Sequence, residues 1–124
     1  MALIRAKDTK PEKAVRRLVF ALGFRYRLHV RSLPGNPDMV FSRQRKIILV
    51  HGCFWHRHAR CPLARLPKSR LEFWEPKLKE NRKRDKKNMA KLKRQGWAVQ
   101  VIWECEIKDS CALKQKLLTF LRNP

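Results

Sequence analysis

The stretch from Pro34 to Cys61 constrains the fold of this chain most strongly, because two short apolar runs lead directly into a group of histidines and cysteines. A Pro/Gly/Asn cluster, which favours turns, precedes the first run. The second run is followed by five potential metal ligands or proton carriers, which are His51, Cys53, His56, His58 and Cys61. Polar groups crowded beside a sheet cost free energy unless metals or hydrogen bonds satisfy them, so this stretch predicts a functional site.

The composition indicates one folded domain with a polyanionic partner. The chain has 124 residues, of which 44% are hydrophobic, so it has room for one core, and we expect a single domain over residues 1–124. A formal charge of +21 favours nucleic acid as the partner, with an anionic membrane surface as the second candidate. No apolar run approaches the ~20 residues of a membrane-spanning helix and no secretory signal is recognisable, so we expect an intracellular protein.

Hydrophobic periodicity predicts an α/β fold in which helices flank a small mixed sheet. The expected elements are a helix that starts at the capping sequence Asp8–Glu12 and stops at Gly23, strands at Phe24–Arg31, Met39–Phe41 and Lys46–Val50, a helix between Pro76 and Gly96, a strand at Trp97–Trp103, and a helix at Ser110–Leu121. Glu12 follows Thr9 by three residues, as in a capping box, and capping is its simpler interpretation. His29 falls on the solvent face of its strand, and we expect no role for it.

The loop from Gly52 to Ser69 lacks periodicity, and its cysteines predict a metal site that pins it. Four cysteines in a reducing compartment favour a metal over two disulfides. The zinc-type ligands are Cys53, His58 and Cys61, with Cys105 or Cys111 as the fourth. His56 could replace His58, and buried cysteines without a metal are the alternative.

Two aspartates are further candidates for the site. Asp38 follows a proline, where an aspartate is usually a turn former. It also lies next to the cluster that begins at His51, so an active-site acid is an equally good interpretation. Asp85 falls on the apolar face of the helix after Pro76, so an acid points toward the core. Ten Lys or Arg residues in Lys77–Arg94 are typical of a solvated face, but charges of one sign repel each other unless phosphates lie along them.

Several motifs in a fixed order give the chain a family resemblance. They are Leu33-Pro-Gly-Asn-Pro-Asp38, His51-Gly-Cys-Phe-Trp-His56, Glu72-Phe-Trp74, Arg84-Asp85, Gly96-Trp97 and Trp103-Glu-Cys105. With these motifs, which span most of its length, the chain resembles the very-short-patch repair (Vsr) endonucleases. The resemblance implies a restriction-endonuclease-like fold and an enzyme that nicks DNA 5′ to the thymine of a T:G mismatch left by deamination of 5-methylcytosine.

The resemblance also implies a role for each residue of the catalytic site. Asp38 and the main-chain carbonyl of Val50 would hold a catalytic Mg²⁺, for which oxygen donors are suitable. His56 would be the base that activates water, and His51 and Glu12 would support the metal-bound waters and the phosphate. Asp85 would be a further active-site acid.

The same resemblance assigns the zinc ligands and the aromatic residues. The structural Zn²⁺ would be held by Cys53, His58, Cys61 and Cys105, which would leave Cys111 as a spare thiol. Phe54, Trp55 and Trp74 would wedge into the base stack beside the mismatch, although large aromatics are more often core residues. The family's basic segment upstream of Ala6 is represented only by Met1–Arg5, so we expect reduced affinity or mismatch selectivity.

The implied partner is double-stranded DNA with a T:G mismatch, bound by a monomer at the nucleoid in the cytoplasm, with mismatch-repair proteins as further candidate partners. One alternative is a structure-specific or site-specific DNA endonuclease of the same fold without mismatch preference. Another is a catalytically inactive, zinc-stabilised nucleic-acid-binding module. That module would explain the charge and the cysteines, but it would not explain Asp38, His51, His56 and Asp85 together.

Overall fold

The computed structural model describes residues 9–35, 37–54, 56, 58–64 and 69–122, in which three α-helices flank a four-stranded sheet. The helices are α1 (Lys10–Ala21), α2 (Leu71–Arg94) and α3 (Ser110–Arg122). The strands are β1 (Arg27–Leu28), β2 (Met39–Phe41), β3 (Lys46–His51) and β4 (Ala98–Trp103). Short 3-10 helices lie at Pro62–Ala64 and Glu104–Lys108. This order confirms the α/β fold expected from the sequence.

The sheet is mixed, and its strands lie in the order β1-β2-β3-β4. The first three strands form antiparallel pairs, whereas β3 and β4 are parallel. A parallel pair needs a crossover connection, and α2 lies within the connection between these strands. The carboxyl ends of β3 and β4 therefore lie side by side, with His51 opposite Trp103, and the polar residues that follow both strands meet at one edge.

The two faces of the sheet bury separate apolar clusters. One face packs against α1 and α3, and its buried residues include Val15, Val19, Ile48, Ile102, Leu113, Leu117 and Leu121. The other face packs against α2, and its buried residues are Val40, Ile47 and Leu92. Successive side chains of a strand point to opposite faces of the sheet, and helices cover both faces. The polar residues therefore follow strands that are packed on both sides.

The start of α1 has the predicted capping box. The backbone N–H of Glu12 donates to Oγ1 of Thr9 at 3.3 Å, and the N–H of Thr9 donates to Oε2 of Glu12 at 2.7 Å. Asp8, which opens the predicted cap, lies outside the described residues. Glu12 is 3% exposed, so a carboxylate is fixed and buried at this end of the helix. At the other end, Gly23 has φ +96°, which suits a glycine after a helix stop.

The strand predicted over Phe24–Arg31 is present but is much shorter than predicted. Only Arg27 and Leu28 pair with β2, and both are exposed. The strand ends because His29 has φ +46°, a left-handed conformation that breaks the alternation.

The start of α2 also differs from the prediction, because the helix begins at Leu71 and contains Pro76. A proline within a helix leaves one carbonyl without its N–H partner, here that of Glu72. Glu72 is exposed, so water can satisfy that carbonyl. In the described part of the chain, no helix combines the length and apolarity needed to cross a bilayer.

Candidate functional site

Three groups of histidine, cysteine and acidic side chains lie near this edge of the sheet among the described residues, and within each group the ligand atoms lie within 4.8 Å of one another. The carboxylate group is Glu12, His29 and Asp38. The imidazole group is His51, His56 and Asp85. The cysteine group is Cys53, His58, Cys61 and Cys105. The structure thus brings together the side chains that the sequence singled out, and it adds His29.

In the carboxylate group, Asp38 lies beside a second acid. Its Oδ2 accepts a hydrogen bond from the backbone N–H of Val50 at 2.7 Å, and its carboxyl group is hydrogen-bonded to that of Glu12. Burial and, to a smaller extent, the neighbouring Glu12 raise the pKa of Asp38 to about 8, although the Val50 N–H and Arg16 act in the opposite direction. Asp38 is half-buried and Glu12 is buried, and their carboxylates repel each other when both are ionised. Such a pair of oxygen donors is suited to a hard divalent cation such as Mg²⁺. Val50 itself is buried in β3.

The prediction that His29 lies on the solvent face of its strand was wrong. His29 is half-buried, and its Nε2 lies 2.9 Å from Nη2 of Arg16, which lies 3.7 Å from Oε2 of Glu12. A guanidinium group can only donate, so Nε2 of His29 is the acceptor. Strand alternation could not reveal this contact, because His29 has already left the strand.

In the imidazole group, Asp85 of α2 reaches His56 across the loop. Nδ1 of His56 is hydrogen-bonded to Oδ2 of Asp85. An ionised carboxylate can only accept, so Nδ1–H of His56 donates this hydrogen bond, which leaves the lone pair of the neutral ring on Nε2. The helical period predicted an inward Asp85, and the structure places it there, with its side chain 23% exposed.

His51 stacks on His56, with ring centroids 4.0 Å apart and planes 10° apart. Burial and, to a smaller extent, the neighbouring His56 lower the pKa of His51 to about 4, although Asp85 acts in the opposite direction. His51 is therefore neutral near pH 7, and one of its ring nitrogens can accept a proton or a hydrogen bond.

Local backbone hydrogen bonds fold the loop that carries His56 and His58. The N–H of His56 donates to the carbonyl of Gly52, and the N–H of His58 donates to the carbonyl of Cys53. These successive turns let two histidines that are two positions apart join different groups. His56 therefore belongs with the aspartate and His58 with the cysteines.

Two distances within the cysteine group match those of a tetrahedral zinc site. Nδ1 of His58 lies 3.5 Å from Sγ of Cys53 and 3.5 Å from Sγ of Cys105. Zn–S bonds of about 2.3 Å and Zn–N bonds of about 2.0 Å separate such ligand atoms by roughly 3.5 Å in a tetrahedron. Burial raises the pKa of Cys53 to about 12, so its thiolate form needs a cation. Cys111 is exposed on α3 and lies outside the group.

Aromatic side chains lie where the loop meets the start of α2. Phe54 packs edge to face on Trp74, with centroids 5.5 Å apart, and Phe73 packs on Trp74 at 4.9 Å. None of the three belongs to the two buried clusters of the described residues, so the core interpretation is disfavoured for Phe54 and Trp74. The sequence analysis missed Phe73, which is 45% exposed beside the cations of Arg70 and Lys77. Trp55 lies outside the described residues.

The ten basic residues between Lys77 and Arg94 are all exposed, whereas Leu78 and Leu92 of the same helix are buried. One face of α2 thus packs on the sheet while the remainder carries positive charge. Such a surface attracts a polyanion and keeps its cations hydrated when the polyanion is absent.

Comparison with known proteins relates the chain to DNA-cleaving enzymes. The family described as DNA mismatch endonuclease Vsr matches residues 1–62. The type II nicking enzyme V.XorIIP of Xanthomonas oryzae pv. oryzae is 50% identical over 121 residues, which cover 98% of this chain and 88% of that protein. The type II nicking enzyme V.NmeAIP of Neisseria meningitidis is 40% identical over 123 residues, with 99% and 87% covered. The DNA mismatch endonuclease Vsr of Escherichia coli is 39% identical over 119 residues, with 96% and 76% covered.

Proposed function

Since the chain belongs to the Vsr family of DNA mismatch endonucleases, we propose that this DNA endonuclease nicks one strand of duplex DNA 5′ to the thymine of a T:G mismatch. The observation that carries the proposal is the pairing of Asp85 with His56, together with the hydrogen bond that joins Asp38 to Val50, the residue before His51. A base oriented by an acid, next to a cation site, is the equipment for hydrolysis of a phosphodiester.

His56 acts as the general base in this mechanism. Asp85 holds the Nδ1 proton, so Nε2 takes a proton from the attacking water. Neutral His51 restricts the ring of His56 by stacking and offers a nitrogen for a hydrogen bond to water or phosphate. Glu12, fixed by the capping box, orients water at the same site.

Asp38 and the main-chain carbonyl of Val50 are the proposed ligands of a catalytic Mg²⁺, which when bound polarises the phosphate and stabilises the leaving oxygen. The support from this chain is the carboxyl pair, since burial and Glu12 raise the pKa of Asp38 and a bound divalent cation would stabilise the ionised pair. Arg16 lies near these carboxylates and offsets part of their charge.

A structural Zn²⁺ is proposed for the cysteine group, with Cys53, His58, Cys61 and Cys105 as ligands. The distances around His58 support this set, and so does the buried position of Cys53. Closed four-ligand zinc sites contribute to folding rather than to chemistry. The metal would hold the loop that carries His56.

Recognition of the mismatch is proposed for Phe54, Trp55 and Trp74, which would enter the base stack. Opening a base step costs a few kcal/mol, and less beside a mismatch, so a wedge favours T:G over T:A. The exposed cations of α2 would lie along phosphates. We further propose that one molecule acts per lesion, in the cytoplasm where the nucleoid lies, with mismatch-repair proteins as candidate partners.

Cleavage of strand-labelled duplexes tests this proposal. Duplexes with T:G, T:A or C:G at one position are incubated with Mg²⁺ or without divalent cations, and DNA binding is measured in parallel. We expect one nick, 5′ to the mismatched thymine, only with Mg²⁺. Asp38→Ala should abolish the nick and leave the affinity nearly unchanged, and His56→Ala should slow it about 10²- to 10⁴-fold.

Other outcomes of this experiment identify the alternatives. Equal nicking of T:G and T:A duplexes would indicate an endonuclease without mismatch preference. The names of the Xanthomonas and Neisseria relatives describe those proteins as type II nicking enzymes. Tight binding without a nick in Mg²⁺ or Mn²⁺ would indicate an inactive binding module. Unchanged cleavage by Asp38→Ala would contradict the assigned site.

A further inference from the structure

The indole of Trp103 lies between the imidazole group and the cysteine group. His58 stacks on it with centroids 4.1 Å apart and planes 6° apart. His51 meets it edge to face at 5.2 Å and 77°. Since His51 in turn stacks on His56, four rings form a continuous row from a proposed zinc ligand to the proposed base.

The backbone fixes Trp103 at this position. Trp103 ends β4 directly opposite His51 in the parallel pair. The backbone N–H of Trp103 donates to Oε1 of Glu106 at 2.9 Å, and Oε2 of Glu106 accepts a hydrogen bond from Nζ of Lys116 at 2.7 Å. The next residue, Glu104, accepts a hydrogen bond from the N–H of Cys53 at 3.2 Å. Hydrogen bonds thus connect the end of β4, which carries the indole, to both α3 and the loop.

We propose that Trp103 is a positioning residue that orients the catalytic imidazoles from the side of the zinc site. His58 holds one face of the indole, the indole holds the edge of His51, and His51 holds the face of His56. This inference rests on the proposed function, because the row of rings is proposed to orient His56 as the general base.

Ring contacts are suited to this task because the second side-chain torsion of histidine has broad minima. The hydrogen bond to Asp85 fixes one nitrogen of His56 but leaves the ring free to swing about that bond. The parallel ring of His51 blocks this swing, and His51 can do so only while its own ring is held. Misplacement of a reacting group by about 1 Å costs on the order of 10²-fold in rate, so a small reorientation is measurable.

The test compares Trp103→Leu, Trp103→Phe and His58→Cys with the wild type. His58→Cys keeps four zinc ligands but removes the ring that stacks on the indole. Trp97→Leu is the matched control, since Trp97 precedes the other end of β4, packs in the cluster under α2, and contacts Arg45. The measurements are kcat on the T:G duplex, DNA affinity, zinc content, Tm, and the NMR signals of the imidazole ring protons without DNA.

We expect Trp103→Leu to lower kcat roughly 10- to 10²-fold while zinc content and DNA affinity stay at wild-type values. The ring signals of His51 and His56 should shift and broaden. Trp103→Phe should recover kcat to within a few-fold, because a phenyl ring can still meet both imidazoles. His58→Cys should keep its zinc and show an intermediate loss of kcat, and Trp97→Leu should keep its kcat and its imidazole signals.

Three results would overturn the inference. One is wild-type kcat with unchanged signals of His51 and His56 in Trp103→Leu. A second is loss of zinc and of thermal stability in Trp103→Leu with no change in the signals of His51 and His56 in His58→Cys, which would show a packing role only. A third is an equal loss of kcat in Trp97→Leu at unchanged Tm. If the wild type does not nick DNA, the proposed function fails, but the imidazole signals still decide whether Trp103 orients His51 and His56.

Discussion

The backbone N–H of Val50 donates to Oδ2 of Asp38, and 2.7 Å separates nitrogen and oxygen. This bond ties the start of β2 to the neighbouring strand and aims the carboxyl group of Asp38 toward that of Glu12. One N–H donor stabilises a carboxylate less than burial and a second acid destabilise it, so the pKa of Asp38 rises to about 8. Without a divalent cation, the site therefore opposes folding as the pH rises.

The first prediction is a pH dependence of stability that is specific to Asp38. The unfolded chain releases this proton near pH 4, whereas the folded protein keeps it to about pH 8, so the free energy of unfolding falls as the pH rises between these values. The pKa of His51, lowered from 6.5 to about 4, has the opposite effect, but only below pH 6.5. Between pH 6.5 and 8 Asp38 acts without this compensation.

Urea unfolding in Mg²⁺-free, zinc-containing buffer checks this prediction. We expect wild-type stability to fall with pH relative to Asp38→Asn by at most about 1.4 kcal/mol per pH unit between pH 6.5 and 8. Added Mg²⁺ should reduce the difference. Parallel pH profiles for the two proteins would show that the carboxyl group of Asp38 is not the group that titrates.

The second prediction concerns Asp85, which orients His56. Asp85→Asn keeps the size of the side chain but removes the charge that stabilises the protonated imidazole. We expect the single-turnover nicking rate to fall by about 10²-fold, with DNA affinity nearly unchanged. Glu80→Gln, which removes the same charge from an exposed position of α2, is the control and should retain the rate. A wild-type rate for Asp85→Asn would show that the pair has no part in the chemistry.

The third prediction concerns zinc. We expect one zinc per chain, and we expect Cys61→Ala to lose it and to melt several degrees lower, because formation of such a site is linked to folding. Cys111→Ala is the matched control, since its thiol is exposed and lies outside the cysteine group, and it should keep both zinc and Tm. Elemental analysis and thermal unfolding measure both. A wild-type protein free of zinc after purification without chelators would refute the assignment.

The sequence was sufficient where a local period controls the outcome. The helical period of α2 turned Asp85 inward, the capping box fixed Glu12, and the strand runs led to His51. These features depend on neighbours along the chain, so a pattern of a few residues determines them. The order of helices and strands followed for the same reason.

The sequence was insufficient where a residue departs from its local period or where the partner is distant in the chain. Alternation assigned His29 to solvent, but its left-handed backbone turns it to Arg16 of α1. The choice between Cys105 and Cys111 depends on how the ends of β3 and β4 align, which spacing does not encode. The ring contacts of Trp103 have the same origin.

The fourth prediction concerns the electrostatic part of DNA binding. The logarithm of the affinity should fall linearly with the logarithm of the salt concentration, by about 0.9 per neutralised phosphate. Lys83 and Lys87 are exposed one turn apart on α2, so Lys83→Gln with Lys87→Gln should lower the slope by up to about 1.8. The loss of affinity should be equal for T:G and T:A duplexes. An unchanged slope would place the DNA on another surface.

The last prediction concerns discrimination by Trp74. This ring joins Phe54 of the loop to Phe73 of α2 and lies outside both buried clusters, so its removal should cost little stability. It should cost discrimination, because base–aromatic stacking contributes about 1–3 kcal/mol per base. We expect Trp74→Ala to melt within a few degrees of the wild type and to lower the T:G over T:A nicking ratio at least about 10-fold. Phe20→Ala, which removes an exposed ring from α1, is the control and should keep the ratio. A Trp74→Ala protein that melts much lower yet keeps its nicking ratio would show that the ring supports the fold and does not read the mismatch.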